Sequence, residues 1–161
     1  MTNEQRINRT IYKNGHSATV TVVAGDVCPC MIFEDANNPS YSREWHRLNP
    51  TADDCSGTGL INTSSNDTNI KAMFYPVALK VQSLNLDKES LDKILGEMQN
   101  DDLIMYGAVD ISDLSTFDLS ILSEYHDKIL YRTNYYFVRH LFEIAADSFI
   151  SQIAFIKRLN G

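Results

Sequence analysis

Apolar and polar positions recur with different periods along this chain, and the periods mark out its elements. Near the start, Ile7, Ile11 and Tyr12 recur at helical spacing behind Thr2, a residue type that caps helix N-termini, with Glu4 in the first turn. This predicts a short amphipathic helix over residues 2–13, closed at Asn14-Gly15, where glycine can take the left-handed conformation that ends helices. Ser17 to Val23 is dense in β-branched residues and partly alternating, as a strand is. Ala24-Gly25-Asp26 then turns the chain into Cys28.

From there to Gly59 no period holds. Asn37-Asn38-Pro39-Ser40 and Asn49-Pro50 are loop signals, and the stretch 28–59 reads as one long irregular excursion. Loops of that length are uncommon in a compact domain unless function or a ligand organises them. Leu60-Ile61 starts a short strand, Asn62 to Asn69 is polar and turn-rich, and Ile70 to Val81 is apolar and strand-like, with Pro76 requiring an edge or a bulge. Leu86 to Gln99 predicts a second helix, its stripe made by Leu91, Ile94, Leu95 and Met98.

Leu103 to Tyr106 reads as a short strand and Val109 to Leu122 as extended segments and turns. The end of the chain is a meander. Lys128–Tyr131, a turn at Arg132–Asn134, Tyr135–Ile144, a turn at Ala145–Ser148 and Phe149–Arg158 follow one another as strands and hairpin turns. The fold class expected is mainly β (α+β): a small antiparallel β-barrel or sandwich with an N-terminal helix, one further helix and a long metal-organised loop. Residues 1–161 form one domain in this reading, with 28–59 as the loop excursion and 84–122 as a candidate insertion. Of the aromatic residues near the end, Tyr131, Tyr135, Tyr136, Phe137, Phe142, Phe149 and Phe155, about half should face the core by strand alternation. The others are candidates for a subunit interface, where aromatics are enriched.

Composition narrows the function. A hydrophobic fraction of 43% suffices for a core without disulfide staples. The net charge of -7, from 14 basic and 21 acidic residues, is the wrong sign for gripping nucleic-acid phosphates. The sequence shows no apolar run long enough for a membrane span, and its first residues lack the apolar stretch of a signal peptide. The setting expected is therefore cytoplasmic and reducing, which favours metal binding over disulfides for the three cysteines.

All three cysteines lie in the 28–59 excursion, with the only tryptophan and His46. Cys28, Cys30, His46 and Cys55 run in order with gaps of one, fifteen and eight residues. Three thiols and an imidazole with no fifth donor would close a structural zinc site. Cys-x-Cys is tighter than the usual zinc knuckle, but Cys55-Ser-Gly57-Thr-Gly59 allows backbone N–H groups to turn back toward a thiolate. Asp53 or Asp54 is a candidate acceptor for the His46 ring. The same residues also fit a metal-free cluster of buried thiols, or a reactive thiol. His16, His126 and His140 read as ordinary histidines. No nucleophile elbow, phosphate-binding glycine loop or metalloprotease motif is present, and no residue is argued as catalytic, so the chain reads as a non-enzyme.

Two stretches resemble the head–tail connector or head-completion (stopper) proteins of the tailed-phage neck. One is Cys28-Pro-Cys30 with Tyr41-Ser-Arg-Glu-Trp45-His46-Arg-Leu-Asn-Pro50 and Asp54-Cys55-Ser-Gly-Thr-Gly-Leu-Ile61. The other is Asp127-Lys-Ile-Leu-Tyr131 and Tyr136-Phe-Val138 leading into Ile153–Arg158, similar to the closing strands of the stopper barrel. The resemblance implies a virion protein assembled in the bacterial cytoplasm as a ring between portal and tail. DNA would pass through that ring without sequence-specific binding, and portal, adaptor and tail-terminator subunits would be its neighbours. A tail terminator, another zinc-stabilised interaction module and a small thiol- or metal-dependent enzyme are the alternatives.

Overall fold

A computed structural model of the chain describes residues 1–35, 38–77, 87–124, 126–146 and 149–159. Helix α1 (Asn3–Asn14) starts as its sequence requires. The Thr2 hydroxyl accepts the Gln5 N–H at 3.2 Å, and the Gln5 side chain accepts the Thr2 N–H at 3.0 Å. Its end differs from expectation. Gly15 is extended, with φ -79°, and is required for closeness instead: a Cβ there would lie 2.5 Å from the Ile11 carbonyl oxygen and 2.9 Å from that of Ala72.

Strands β1 (His16–Val27), β2 (Met31–Asp35) and β3 (Asn38–Tyr41) follow, then the short helix α2 (Arg43–Leu48) and the long strand β4 (Leu60–Pro76). Next come helix α3 (Lys88–Glu97) and strands β5 (Leu103–Asp110), β6 (Lys128–Tyr131), β7 (Asn134–Ala146) and β8 (Phe149–Arg158). Six of the strands close an antiparallel barrel in the order β1-β4-β5-β8-β7-β6, with β1 pairing β6 to complete the ring. The 84–122 segment, expected as an insertion, supplies β5 to the wall between β4 and β8. The turn expected at Ala145–Ser148 includes Asp147 and Ser148, and the apolar run ending at Val81 includes Ala78–Val81; these lie outside the described residues.

Alternate residues of each strand fill the barrel, as a period of two dictates. Val20, Ile70, Met105, Ile129, Tyr136 and Ile156 represent all six strands in one buried cluster. Their neighbours of opposite parity, Ile104, Ile153 and Phe155, face outward and are covered by Ile94 and Leu91 of α3. The late aromatics divide as alternation requires: Tyr131, Tyr136 and Phe155 are buried, while Tyr135 is exposed with the Lys128 ammonium 4.7 Å from its ring centre.

Buried polar groups are paired. Asp102 accepts the backbone N–H groups of Gln99 and Arg158, at 2.6 and 2.8 Å. Asp127 accepts those of Val23 and Ser123, at 2.7 and 2.8 Å, and contacts His126 Nδ1. Among the described residues no buried side-chain nitrogen or oxygen lacks a partner, and no helix is long and apolar enough to cross a membrane.

Strands β1 and β4 outrun the barrel. β6 accompanies β1 only from Ala18 to Thr21, and β5 accompanies β4 only from Ile70 onward, whereas β1 and β4 stay paired from His16↔Ala72 to Val27↔Leu60. The stretch Asn62–Asn69, expected as turns, is therefore strand. Its Thr, Ser and Asn side chains are those of an arm without a core face, so no apolar alternation marks it. A bulge at Asn62 (φ +52°), whose amide donates to Asp26, offsets the ladder near the end of the arm.

Candidate metal centre

Residues 28–59 form a knob on the end of this arm. The segment is more regular than expected, because it contains the β2–β3 hairpin and α2. Cys28 leaves β1 with its N–H on the Gly59 carbonyl at 2.8 Å, which ties the two ends of the knob together. Pro29 and Cys30 are the central residues of a turn closed by the Met31 N–H on the Cys28 carbonyl at 3.0 Å. Proline's fixed φ suits the first of those positions. Cys-Pro-Cys thus places two thiols on one tight turn.

The third candidate donor, His46, comes from α2. The Ser42 hydroxyl accepts the Trp45 N–H at 3.2 Å and caps the helix, while the Ser42 N–H reaches back to the Cys30 carbonyl. His46 lies in the last turn, and the Trp45 ring packs edge-on to it at 5.2 Å. Helix α2 is short and has no buried residue, so apolar spacing gave no sign of it; Ser42 ahead of Arg-Glu-Trp was the available signal.

The fourth candidate donor, Cys55, precedes a turn that needs positive φ. Ser56 and Gly57 stand at φ 50° and 83°, and the Thr58 N–H closes the turn on the Cys55 carbonyl at 2.9 Å. Gly59, at φ 77°, lies against Met31, whose sulfur would be 2.6 Å from a Cβ. The N–H groups of Gly57 and Gly59 point at the Cys55 sulfur, as the Cys-x-Gly-x-Gly spacing predicts. The Asp54 carboxylate accepts the Ser56 N–H at 2.8 Å and braces this turn.

The structure brings together all four residues singled out by sequence. Cys28 Sγ is 3.5 Å and Cys55 Sγ 3.6 Å from His46 Nε2, and the sulfurs of Cys30 and Cys55 are 3.5 Å apart. The four donor atoms all lie within 4.8 Å of one another, a set that can hold a metal ion. The cysteines are 0–3% exposed and are covered by Met31, Trp45 and Ile61.

Electrostatics already favours a thiolate at one position. Burial pushes the Cys55 thiol up, but the His46 ring and the N–H groups of Gly59 and Gly57 outweigh it and bring the thiol down to about 7. Cys30 moves the other way, pushed up to about 12 by burial and by the neighbouring Cys28 and Cys55 thiols. Two crowded thiols cannot both ionise cheaply in a dry site, whereas a cation among them removes that conflict.

No family model, curated protein or solved structure matches the chain.

Proposed function

We propose that this chain is a non-enzymatic assembly protein, in which zinc held by Cys28, Cys30, His46 and Cys55 builds a contact knob at the end of a β-arm. The enclosed four-donor cluster carries this reading. Soft thiolates with an imidazole select zinc among common biological cations. A tetrahedron with zinc's usual bond lengths has S···S edges of about 3.8 Å and S···N edges of about 3.5 Å, close to the separations of 3.5 and 3.6 Å here. Four protein donors leave no position for water or substrate, which is the mark of a structural site. The buried thiols likewise give a substrate no approach, and this argues against a thiol-dependent enzyme.

The assembly is of the phage-neck kind in this proposal: a virion ring between portal and tail, with DNA passing through it. The likeness of residues 28–61 and 127–158 to stopper proteins supports it, as does a small barrel that carries an arm. Acidic net charge suits a passage through which DNA slides without being held.

Elemental analysis of the purified protein should give about one zinc per chain, and electron microscopy of the zinc-loaded protein should show rings of about six or twelve copies. Absence of bound metal from a folded protein would sink the zinc site. A metal-loaded chain that never forms rings would leave the alternative of an interaction module outside the phage neck.

A further inference from the structure

Among the described residues the β1–β4 arm has two unpaired edges. β1 loses its outer neighbour after Thr21, where β6 stops, and β4 has none before Ile70, where β5 begins. The outward groups follow from the hydrogen bonds at the arm's root. Val23 gives its N–H to Asp127, on the side away from β4, so Gly25 and Val27 carry the next outward N–H and C=O groups. The Asn69 carbonyl accepts the Ile111 N–H on the side away from β1, so Asp67 and Ser65 are outward on β4. Ala24–Val27 and Asn62–Asp67 are solvent-exposed throughout.

Exposed edges are normally blunted by charged side chains, by proline, by a bulge or by a cover, and the bulge at Asn62 lies outside Ser65–Asp67. This arm has no Lys, Arg or Pro between Thr19 and Cys28, nor between Gly59 and Asn69. Its two acids are engaged within the arm, Asp26 with Asn62 and Asp67 with Thr21. A two-stranded ribbon with no apolar face is also marginal by itself in water.

We infer that the arm pairs with the arm of a second copy of this chain, the β4 edge at Ser65–Asp67 of one copy running beside the β1 edge at Gly25–Val27 of the next. Strand direction fits this occupant. β1 and β4 are antiparallel within the ribbon, so rotating one copy beside another, head to tail, sets β4 against β1 in antiparallel register without any refolding. The two edges differ, so the contact is heterologous, and a heterologous contact whose rotation closes makes a ring. The inference rests on the assembly reading and names the surface that performs it.

The test uses the zinc-loaded full chain, weighed by mass photometry over a dilution series, alongside Ser65→Pro and Ser65→Lys. An edge strand tolerates proline where the N–H faces solvent, so Ser65→Pro should keep its zinc and its far-UV spectrum. It should raise the concentration for half-assembly by about tenfold or more, and Ser65→Lys should act in the same direction. Hydrogen exchange should show the Gly25, Val27, Ser65 and Asp67 amides gaining protection on assembly. Rings that form equally well in both variants would overturn the edge pairing while leaving the ring itself standing. A wild-type chain that stays monomeric would overturn both.

Discussion

The barrel and the knob are filled with different material. Within the barrel, Val20, Ile70, Met105, Ile129, Tyr136 and Ile156 come from six strands and meet in one apolar cluster, and α3 seals a second cluster outside β5 and β8. Among the described residues the knob's buried hydrophobic cluster is its three cysteines, with Met31, Trp45 and the neighbouring Ile61 of β4 only partly covered around them. Apolar burial stabilises in proportion to area, and the barrel holds the two larger apolar clusters. A segment as small as 28–59 holds neither, and units of that size generally need a metal or disulfides. The two regions should therefore fail separately, and the chain carries a probe for each. Its only tryptophan is Trp45, in the knob, while every tyrosine except Tyr41 lies outside the knob.

Metal removal should give the largest effect. Structural zinc contributes on the order of 10 kcal/mol to the unit it holds, far beyond what three buried thiols supply by packing. A strong chelator, or Cys55→Ser, should shift Trp45 emission to the red and unfold the knob while the far-UV signal of the barrel stays. Loss of both signals together would show that the two regions fold as one.

The reciprocal change is Phe155→Ala. Phe155 is fully buried against Ile94 and meets Phe142 edge-on at 5.7 Å. Removing its ring should cost about 3–5 kcal/mol, read as a lower urea midpoint by circular dichroism. Without denaturant the zinc content should not change. A variant that folds yet loses zinc would show that the barrel wall shapes the metal site after all.

Asp127→Ala tests the joint between the two. The carboxylate is buried at the root of the arm and holds the Val23 and Ser123 N–H groups. Stripping both should cost about 2–4 kcal/mol. Amide exchange should quicken at Val23 and remain slow at Cys28, whose N–H is held inside the knob by Gly59. Equal quickening at both would mean that the arm transmits the damage outward.

How much of this was legible in the sequence follows the same division. α3 and β6–β8 have one buried face, so periodicity shows them; in α1 Ile7 and Tyr12 of the expected stripe are exposed, and the buried residue is Asn8. The Cys28, Cys30, His46 and Cys55 cluster was legible because every thiol of this chain and one imidazole lie close together in its sequence. The arm was hidden, since Asn62–Asn69 has no buried face and its backbone pairing leaves no mark on side-chain pattern. Gly15 misled for a related reason. Glycine signals equally a left-handed turn and a close approach of backbones, and only the nearness of Ala72, distant in sequence, decides which.

Acid should separate the regions once more, with smaller effects on the barrel side. Zinc ligands must be deprotonated, so metal affinity falls as pH falls and the knob should release first. Barrel-side losses come later. The His140 hydrogen bond, at 2.8 Å, and then Arg139 hold the Glu97 carboxyl below its ordinary value of 4.5, against the opposing effect of burial. Asp118 is held below 3.8 by the Ser120 hydroxyl, Gln152 and the Ser120 N–H. A carboxyl depressed by folding stabilises fully above its unfolded value, and that stability is lost as pH falls through the folded one. These contributions therefore persist at pH 4.5 and fade only in stronger acid. On acid titration Trp45 emission should change at higher pH than the far-UV signal. Glu97→Gln should lower barrel stability slightly at neutral pH, through a weaker tether between α3 and β7, and the deficit should vanish as wild-type Glu97 takes up its proton. A deficit that stays constant into strong acid would assign the tether to packing of α3 on Ile104 and Phe155, with the Glu97 charge contributing nothing.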